Sequence, residues 1–213
     1  MKSYKLGSLL VVLALGIGLG AIAIAAPGDK EKEKGDKETK GLAIGEKAPQ
    51  WEGLMGTDDK SHSLADLEES DAVVLVFTCN GCPVAKAYEQ RMVEFQNAYE
   101  DKGVRLVAIN VNNGERDELP AMKERAEEKE FNFAYVDDPS QESARQYGAR
   151  VTPHVFVLDK DRKLAYVGAF DDNQDADKVE AHYVSDAVDA LLAGRAPEVT
   201  EKKAFGCGIH WEK

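Results

Sequence analysis

Two cysteines, Cys79 and Cys82, are separated by two residues and come just after the apolar run "AVVLVF". Such an uninterrupted β-branched run is typical of a strand buried on both faces, and the apolar spacing after Pro83 predicts a helix. Free N–H groups and the dipole at a helix N-terminus favour thiolate over thiol, and the thiolate is the species that attacks a disulfide. The pair therefore predicts thiol–disulfide exchange, with Cys79 as an accessible attacking sulfur ahead of the helix and Cys82 as the resolving sulfur in its first turn.

The short spacing of this pair favours a reactive disulfide over a structural one. In the chain-entropy model a bridge closing four residues stabilises a fold by only about 2 kcal/mol, whereas one closing over a hundred residues contributes about 5 kcal/mol. The alternative is a pair of buried, inert cysteines. Apolar packing gives no reason to place both of them at the start of a helix.

The third cysteine, Cys207, lies in the C-terminal stretch "KAFGCGIHWEK". Glycines on both sides allow this stretch to move, and Phe205, Ile209 and Trp211 are suited to docking it onto the folded body. Three interpretations stay open: Cys207 is an extra resolving thiol that reaches Cys79 or Cys82, it forms a disulfide with another molecule, or it is a bystander.

The elements that must position these residues alternate along the chain. An extended lead-in with a hairpin and a short helical turn at "SLADLE" precedes the order β-α-β-α-β-α-β-β-α. This alternation predicts an α/β fold whose parallel sheet is covered by helices and carries an antiparallel hairpin at one side. The predicted segments are strand 72–77, helix 83–99, strand 104–111, helix 117–130, strand 133–138, helix 140–148, a hairpin over 151–170 and helix 175–194.

The termini differ from the folded part in composition. Residues 1–26 combine two lysines, a long uncharged stretch and small residues at its end, which predicts a secretory signal peptide; an uncleaved membrane anchor is the alternative. Residues 27–40 alternate in charge and predict a disordered linker. The folded domain is predicted over 41–196, followed by a tail over 197–213. Export to the periplasm or another extracytoplasmic space follows, where a cysteine pair can stay oxidised.

The net charge narrows the range of partners. The formal charge is −12, and residues 41–213 hold 34 acidic and 20 basic side chains. Such an acidic body repels nucleic acid and anionic lipid, so neither is expected as a partner. The predicted partners are proteins or small molecules that carry thiols and disulfides, and this chemistry needs no bound cofactor.

Three stretches resemble the thioredoxin-like superfamily in its redoxin branch, which includes the AhpC/TSA type. They are "IGEKAPQW…SLADL", "VVLVFTCNGCP" and "VTPHVFVLD", and the resemblance covers 41–194. It implies a thioredoxin-like fold, a central mixed sheet flanked by helices with an N-terminal hairpin extension, and a thiol–disulfide oxidoreductase activity. It also implies a cis peptide bond between Thr152 and Pro153 that faces the two sulfurs, with the backbone around Thr152 docking the substrate chain.

The chain departs from the family patterns in three places. Asn80-Gly81 replaces the Gly-Pro of thioredoxin and no tryptophan precedes the pair, while Val73 stands where thioredoxin holds a buried acid. The proton relay is therefore missing or relocated. The pattern Pro-x-x-x-Thr-x-x-Cys of peroxiredoxins is absent, which makes a thiol peroxidase the weaker alternative.

A metal-binding thiol protein is the alternative from a different class. Copper or zinc accepts thiolate and imidazole ligands, and His154 follows the cis-proline position while His210 lies close to Cys207. The candidate metal set is Cys79, Cys82 and His154. The copper-delivery branch of the superfamily uses Cys-x-x-x-Cys, one residue longer, and strand alternation can equally point His154 away from the sulfurs.

Overall fold

A computed structural model describes residues 41–212. The segments 1–26 and 27–40, for which the sequence predicts a signal peptide and a linker, lie outside the described residues. Within the part of the chain that is described, none of the helices combines the length and apolar character needed to span a bilayer.

The strands and helices follow the predicted chain order. The strands are β1 (Leu54–Gly56), β2 (Ser61–His62), β3 (Ala72–Thr78), β4 (Val104–Asn110), β5 (Ala134–Asp137), β6 (Val151–Thr152), β7 (His154–Leu158), β8 (Leu164–Gly168) and β9 (Cys207–Gly208). The helices are α1 (Pro83–Lys86), α2 (Glu89–Tyr99), α3 (Leu119–Glu128), α4 (Glu142–Tyr147) and α5 (Tyr183–Leu192). The short helical turn predicted in the lead-in is a 3-10 turn at Leu64–Leu67.

Seven strands form one mixed sheet in the order β2-β1-β5-β4-β3-β7-β8. Strand β3 pairs in parallel with β4 and antiparallel with β7, and β4 pairs in parallel with β5. The N-terminal hairpin β1–β2 extends the sheet at one edge, and the hairpin β7–β8 ends it at the other. The predicted central mixed sheet with an N-terminal hairpin extension is confirmed.

Strand β3 is the centre of the core because each of its seven residues is buried. Val74 and Val76 point into a layer formed with α2, α3 and α5, whereas Val73, Leu75 and Phe77 point into a layer formed with α4 and the N-terminal lead-in. Burial on both faces is what its unbroken apolar run predicts. The strand therefore holds the following cysteine loop on a fixed support.

The helix after the cysteine pair is divided, although the apolar spacing predicts a single helix over 83–99. At the junction, Ala87 N–H donates to Val84 O and Tyr88 N–H donates to Ala85 O, so i→i−3 bonds replace the α-helical ones. The Tyr88 ring is buried at this point against Phe170 and Phe205. The tighter turn separates α1 from α2.

The last helix is also shorter than predicted, since α5 starts at Tyr183 whereas the expectation covered 175–194. The Asp172 carboxylate accepts the N–H groups of Glu180 and Ala181 at 3.0 and 3.1 Å. Asp175 caps a separate 3-10 turn. Short acidic side chains compete in this way with the helical hydrogen bonds, which the apolar pattern alone does not reveal.

Replacing Phe77 by alanine is expected to lower the free energy of unfolding by about 3–5 kcal/mol, because it opens a cavity in a full core. The Phe77 ring packs 5.5 Å from the Tyr147 ring and 5.4 Å from the Phe156 ring, centroid to centroid. Met55→Ala is the control, since Met55 is 41% exposed; its effect should stay within about 0.5 kcal/mol. Urea denaturation measures both, and equal losses would contradict the assignment of the core.

Candidate active site

Cys82 occupies the N-cap position of α1, at the point where strand β3 is connected to its helix. Its backbone is extended (φ −86°, ψ 117°), Pro83 fills the first helical position, and the Cys82 Sγ accepts the N–H of Ala85 at 3.4 Å. Proline suits that position because its missing N–H would have no partner there. The helix N-terminus thus acts on Cys82 directly, and Cys79 lies one loop ahead of it.

Both sulfurs of the pair are covered. Cys79 is 3% exposed and Cys82 is 2% exposed, whereas Cys207 is partly exposed. The expectation that Cys79 is accessible is therefore wrong. The C-terminal stretch lies beside the pair, since its strand β9 pairs with β6 and Cys207 packs against the cluster of Cys79, Cys82 and Ala85.

Thr152 contacts both buried sulfurs. The peptide bond between Thr152 and Pro153 is cis, which confirms the expectation drawn from the resemblance. The Thr152 Oγ1 lies 3.4 Å from the Cys79 Sγ, and the Thr152 carbonyl oxygen lies 3.1 Å from the Cys82 Sγ. The four predicted residues Cys79, Cys82, Thr152 and Pro153 are thus brought together at one place.

The pKa values of the two thiols are shifted in opposite directions. A hydrogen bond from Cys79, with further ones from Cys207, the Ala85 N–H and Thr152, outweighs burial and lowers the pKa of Cys82 to about 4. The same hydrogen bond to Cys82, together with burial and the negative charge of Asp117, raises the pKa of Cys79. These contacts favour the thiolate form of Cys82 and the thiol form of Cys79.

Asp117 is a site residue that sequence reasoning missed. Its buried carboxylate accepts the N–H of Gly81 at 2.9 Å, and its charge acts on Cys79. The residue comes from the loop before α3, and no local motif marks it. Val73, at the place of the thioredoxin acid, is fully buried in an apolar layer, so Asp117 is the carboxylate next to this cysteine loop.

The dipeptide between the cysteines is fixed on its other side as well. The Tyr135 hydroxyl donates to the Asn80 Oδ1 at 2.8 Å, and the Asn110 Nδ2 donates to the Asp117 carbonyl oxygen at 2.8 Å. Burial raises the pKa of Tyr135 well above its ordinary value, so it remains a neutral donor. Strands β4 and β5 therefore hold the loop through side chains that are distant in sequence.

The described structure does not arrange the alternative metal set of Cys79, Cys82 and His154 as ligands of one ion. The His154 Nδ1 accepts the N–H of Arg150 at 3.3 Å and its ring packs 4.7 Å from the Phe156 ring; burial lowers the pKa of His154 to about 4. The imidazole is thus held beside Phe156, two residues further along the same strand. Over residues 41–212, no three His, Cys, Asp or Glu side chains are arranged to hold a metal ion.

Comparisons with known proteins agree with this geometry. The sequence profile of the AhpC/TSA family matches residues 44–167. An uncharacterized conserved protein from Geobacillus kaustophilus is 35% identical, with 80% of this chain and 93% of that one covered and a TM-score of 0.75. A hypothetical protein from Sinorhizobium meliloti is 29% identical, with coverages of 81% and 97% and a TM-score of 0.75. No curated protein matches the chain.

A third structure connects the fold to disulfide chemistry. A Chlorobium tepidum protein provisionally named thiol:disulfide interchange protein DsbE is 25% identical, with 59% of this chain and 84% of that one covered and a TM-score of 0.52. The chain belongs to the AhpC/TSA family, within the thioredoxin-like redoxins. It is thus a redox protein of that superfamily.

The division of charge between the thiols can be tested by following the ultraviolet absorbance of the thiolate against pH. Cys82→Ser should lose the ionisation that is expected near pH 4 in the reduced protein. Cys79→Ala should raise the pKa of Cys82, because it removes the strongest hydrogen bond to the thiolate, whereas Cys79→Ser keeps a donor and should stay close to the wild type. An acidic ionisation that survives in Cys82→Ser and disappears in Cys79→Ser would place the charge on Cys79 instead.

Proposed function

We propose that this chain is an exported thiol–disulfide oxidoreductase that works through the Cys79–Cys82 pair. The observation that supports it best is the hydrogen-bonded sulfur pair at the junction of β3 and α1, where one thiol has a lowered pKa. A thiolate at neutral pH next to a protonated thiol is the state that exchange with a disulfide requires. Membership of the redoxin superfamily agrees with this chemistry.

In this proposal Cys82 takes the attacking role that the sequence expectation gave to Cys79, because Cys82 accepts the Ala85 N–H at the start of α1. The Cys82 thiolate attacks one sulfur of a substrate disulfide, forms a mixed disulfide and releases the other sulfur as a thiolate. Cys79 then gives up its proton and attacks the Cys82 sulfur, which releases the second substrate thiol and leaves the Cys79–Cys82 disulfide. Two electrons pass to the substrate, and the reverse sequence oxidises a dithiol.

Asp117 is a positioning residue in this scheme. Its negative charge adds to the hydrogen bond with Cys82 and to burial in raising the pKa of Cys79, which favours the protonated form of that thiol. Its hydrogen bond to Gly81 fixes the loop between the sulfurs. In this proposal Asp117 replaces the thioredoxin acid in its effect on the cysteine pair, although it comes from another part of the chain.

The proposed substrates are thiols and disulfides of proteins or small molecules, and the proposed location is outside the cytosol. The location is supported by the charged start, the uncharged stretch and the small residues within 1–26, followed by a charged segment over 27–40. An oxidising compartment lets the pair remain a disulfide between turnovers.

The test is reduction of insulin disulfides by dithiothreitol in the presence of the full chain. Cys82→Ser and Cys79→Ser should each lower the catalysed rate by at least about 100-fold, since each removes one bond-forming sulfur. Glu118→Gln is a matched control, because it removes an exposed charge next to Asp117 and should leave the rate unchanged. Wild-type protein that reduces no disulfide but rapidly consumes hydrogen peroxide would replace this function by a thiol peroxidase.

A further inference from the structure

The C-terminal segment, residues 200–212, places a third sulfur on the buried pair. We propose that Cys207 is a redox-active thiol and that this segment binds beside the pair as a covalently attached substrate would. Cys207 exchanges a disulfide first with Cys82 and then with external thiols. The proposal rests on the exchange activity of the Cys79–Cys82 pair. It adds a catalytic residue and a route by which covered sulfurs communicate with solvent.

The register of two short strands carries the argument. Strand β9 pairs antiparallel with β6, and Cys207 is directly opposite Thr152. Thr152 contacts the sulfurs of both Cys79 and Cys82. A residue opposite Thr152 is therefore brought to the pair, and here that residue is a cysteine that packs against the buried cluster of Cys79, Cys82 and Ala85.

The glycine before Cys207 is needed for this approach. A Cβ at Gly206 would lie 2.0 Å from the carbonyl oxygen of Thr152, which no side chain tolerates. A Cβ at Gly208, on the other side of the cysteine, would meet nothing within 4 Å. One of the two glycines flanking Cys207 thus has a steric purpose that the other lacks.

Hydrogen bonds hold the segment on both sides of Cys207. Upstream, the Val167 N–H donates to Thr200 O at 2.9 Å and the Lys202 N–H donates to Val167 O at 3.1 Å. Downstream, the Gln141 side chain donates to His210 O at 2.7 Å and accepts the Glu212 N–H at 2.8 Å. The position of Cys207 is therefore fixed by the fold around it.

Exposure distinguishes the three sulfurs. The residues of the pair are 2–3% exposed, while Cys207 is partly exposed on the same cluster. An external thiol or disulfide can approach Cys207 while the segment stays in place. Cys82 is the sulfur whose pKa both other thiols lower, and the proposal makes it the sulfur that exchanges with Cys207.

The transfer step balances without an added oxidant. The Cys207 thiolate attacks the Cys82 sulfur of the Cys79–Cys82 disulfide; the Cys82–Cys207 bond forms as the Cys79–Cys82 bond breaks, and Cys79 leaves with the electron pair and takes up a proton. An external thiolate then attacks the Cys207 sulfur, so that a mixed disulfide forms on Cys207 and Cys82 leaves as a thiolate. A second external thiolate attacks the external sulfur of this mixed disulfide, which releases the Cys207 thiolate and gives the external disulfide. The lowered pKa of Cys82 makes it a good leaving group.

Cys207 is ready to attack once the pair is oxidised. Burial and the neighbouring Cys82 raise the pKa of Cys207 in the reduced protein. Formation of the Cys79–Cys82 disulfide removes the negative charge from Cys82. The contribution of that charge to the raised pKa of Cys207 is then lost. The oxidised state of the pair thus favours the thiolate of its attacker.

The experiment uses the full chain with Cys79→Ser, which leaves Cys82 and Cys207. Mild oxidation with oxidised glutathione at low protein concentration, followed by acid trapping and mapping of non-reduced peptides, should show an intramolecular Cys82–Cys207 disulfide as the main product. Cys82→Ser should form much less of the Cys79–Cys207 disulfide. Wild-type protein under limiting oxidant provides a second measurement and should contain both Cys79–Cys82 and Cys82–Cys207 bonds.

Two glycine variants in the Cys79→Ser background are the matched pair. Gly206→Ala should slow formation of the Cys82–Cys207 disulfide at least tenfold, whereas Gly208→Ala should leave its rate unchanged. Equal rates in the two variants, or Cys82 recovered only as a glutathione adduct or a dimer while Cys207 stays reduced, would overturn the proposal.

The two proposals fail in different ways. If Cys207→Ser still forms the Cys79–Cys82 disulfide, and neither the wild type nor Cys79→Ser forms a Cys82–Cys207 bond, the proposed role of Cys207 is wrong. The exchange activity of the Cys79–Cys82 pair then still holds. Cys207→Ser that forms no Cys79–Cys82 disulfide and reduces no insulin would remove the exchange activity itself.

Discussion

The contact of Thr152 with two sulfurs is the constraint on which the site depends. Its hydroxyl lies 3.4 Å from the Cys79 sulfur, its carbonyl oxygen lies 3.1 Å from the Cys82 sulfur, and its strand pairs with the segment that carries Cys207. One residue therefore contacts two of the cysteines and lies opposite the third, although the cysteines come from distant parts of the chain. The surrounding sheet serves this contact, because β3 and β7 are adjacent and bring the cysteine loop beside the cis-proline.

Much of the fold could be predicted because its signals are local. The unbroken run of β3, the proline after Cys82 and the turn between β7 and β8 each determine an element within about ten residues. The errors are local as well. The single helix expected over 83–99 breaks because a buried Tyr88 tightens one turn, and α5 starts late because Asp172 binds backbone N–H groups that a helix would use.

The site could be predicted only in part, since its electrostatics come from tertiary contacts. The spacing of Cys79 and Cys82 predicts a reactive pair, but which thiol caps the helix depends on where α1 begins. The charge of Asp117 and the cover over the sulfurs are set by segments far away in sequence. A periodicity argument cannot detect them, because neither has a repeating apolar pattern.

The close approach of Gly206 to Thr152 would also restrict the sequence of any other peptide that paired with β6. Any peptide that lies along β6 in the register of the native tail must have glycine immediately before the residue that faces the cysteines, because Thr152 leaves no room for a larger neighbour. This edge of β6 therefore selects peptides by sequence, and the C-terminal segment of this chain has the required glycine. Competing proteins must offer the same dipeptide or bind in a shifted alignment, which gives the tail an advantage of both proximity and fit.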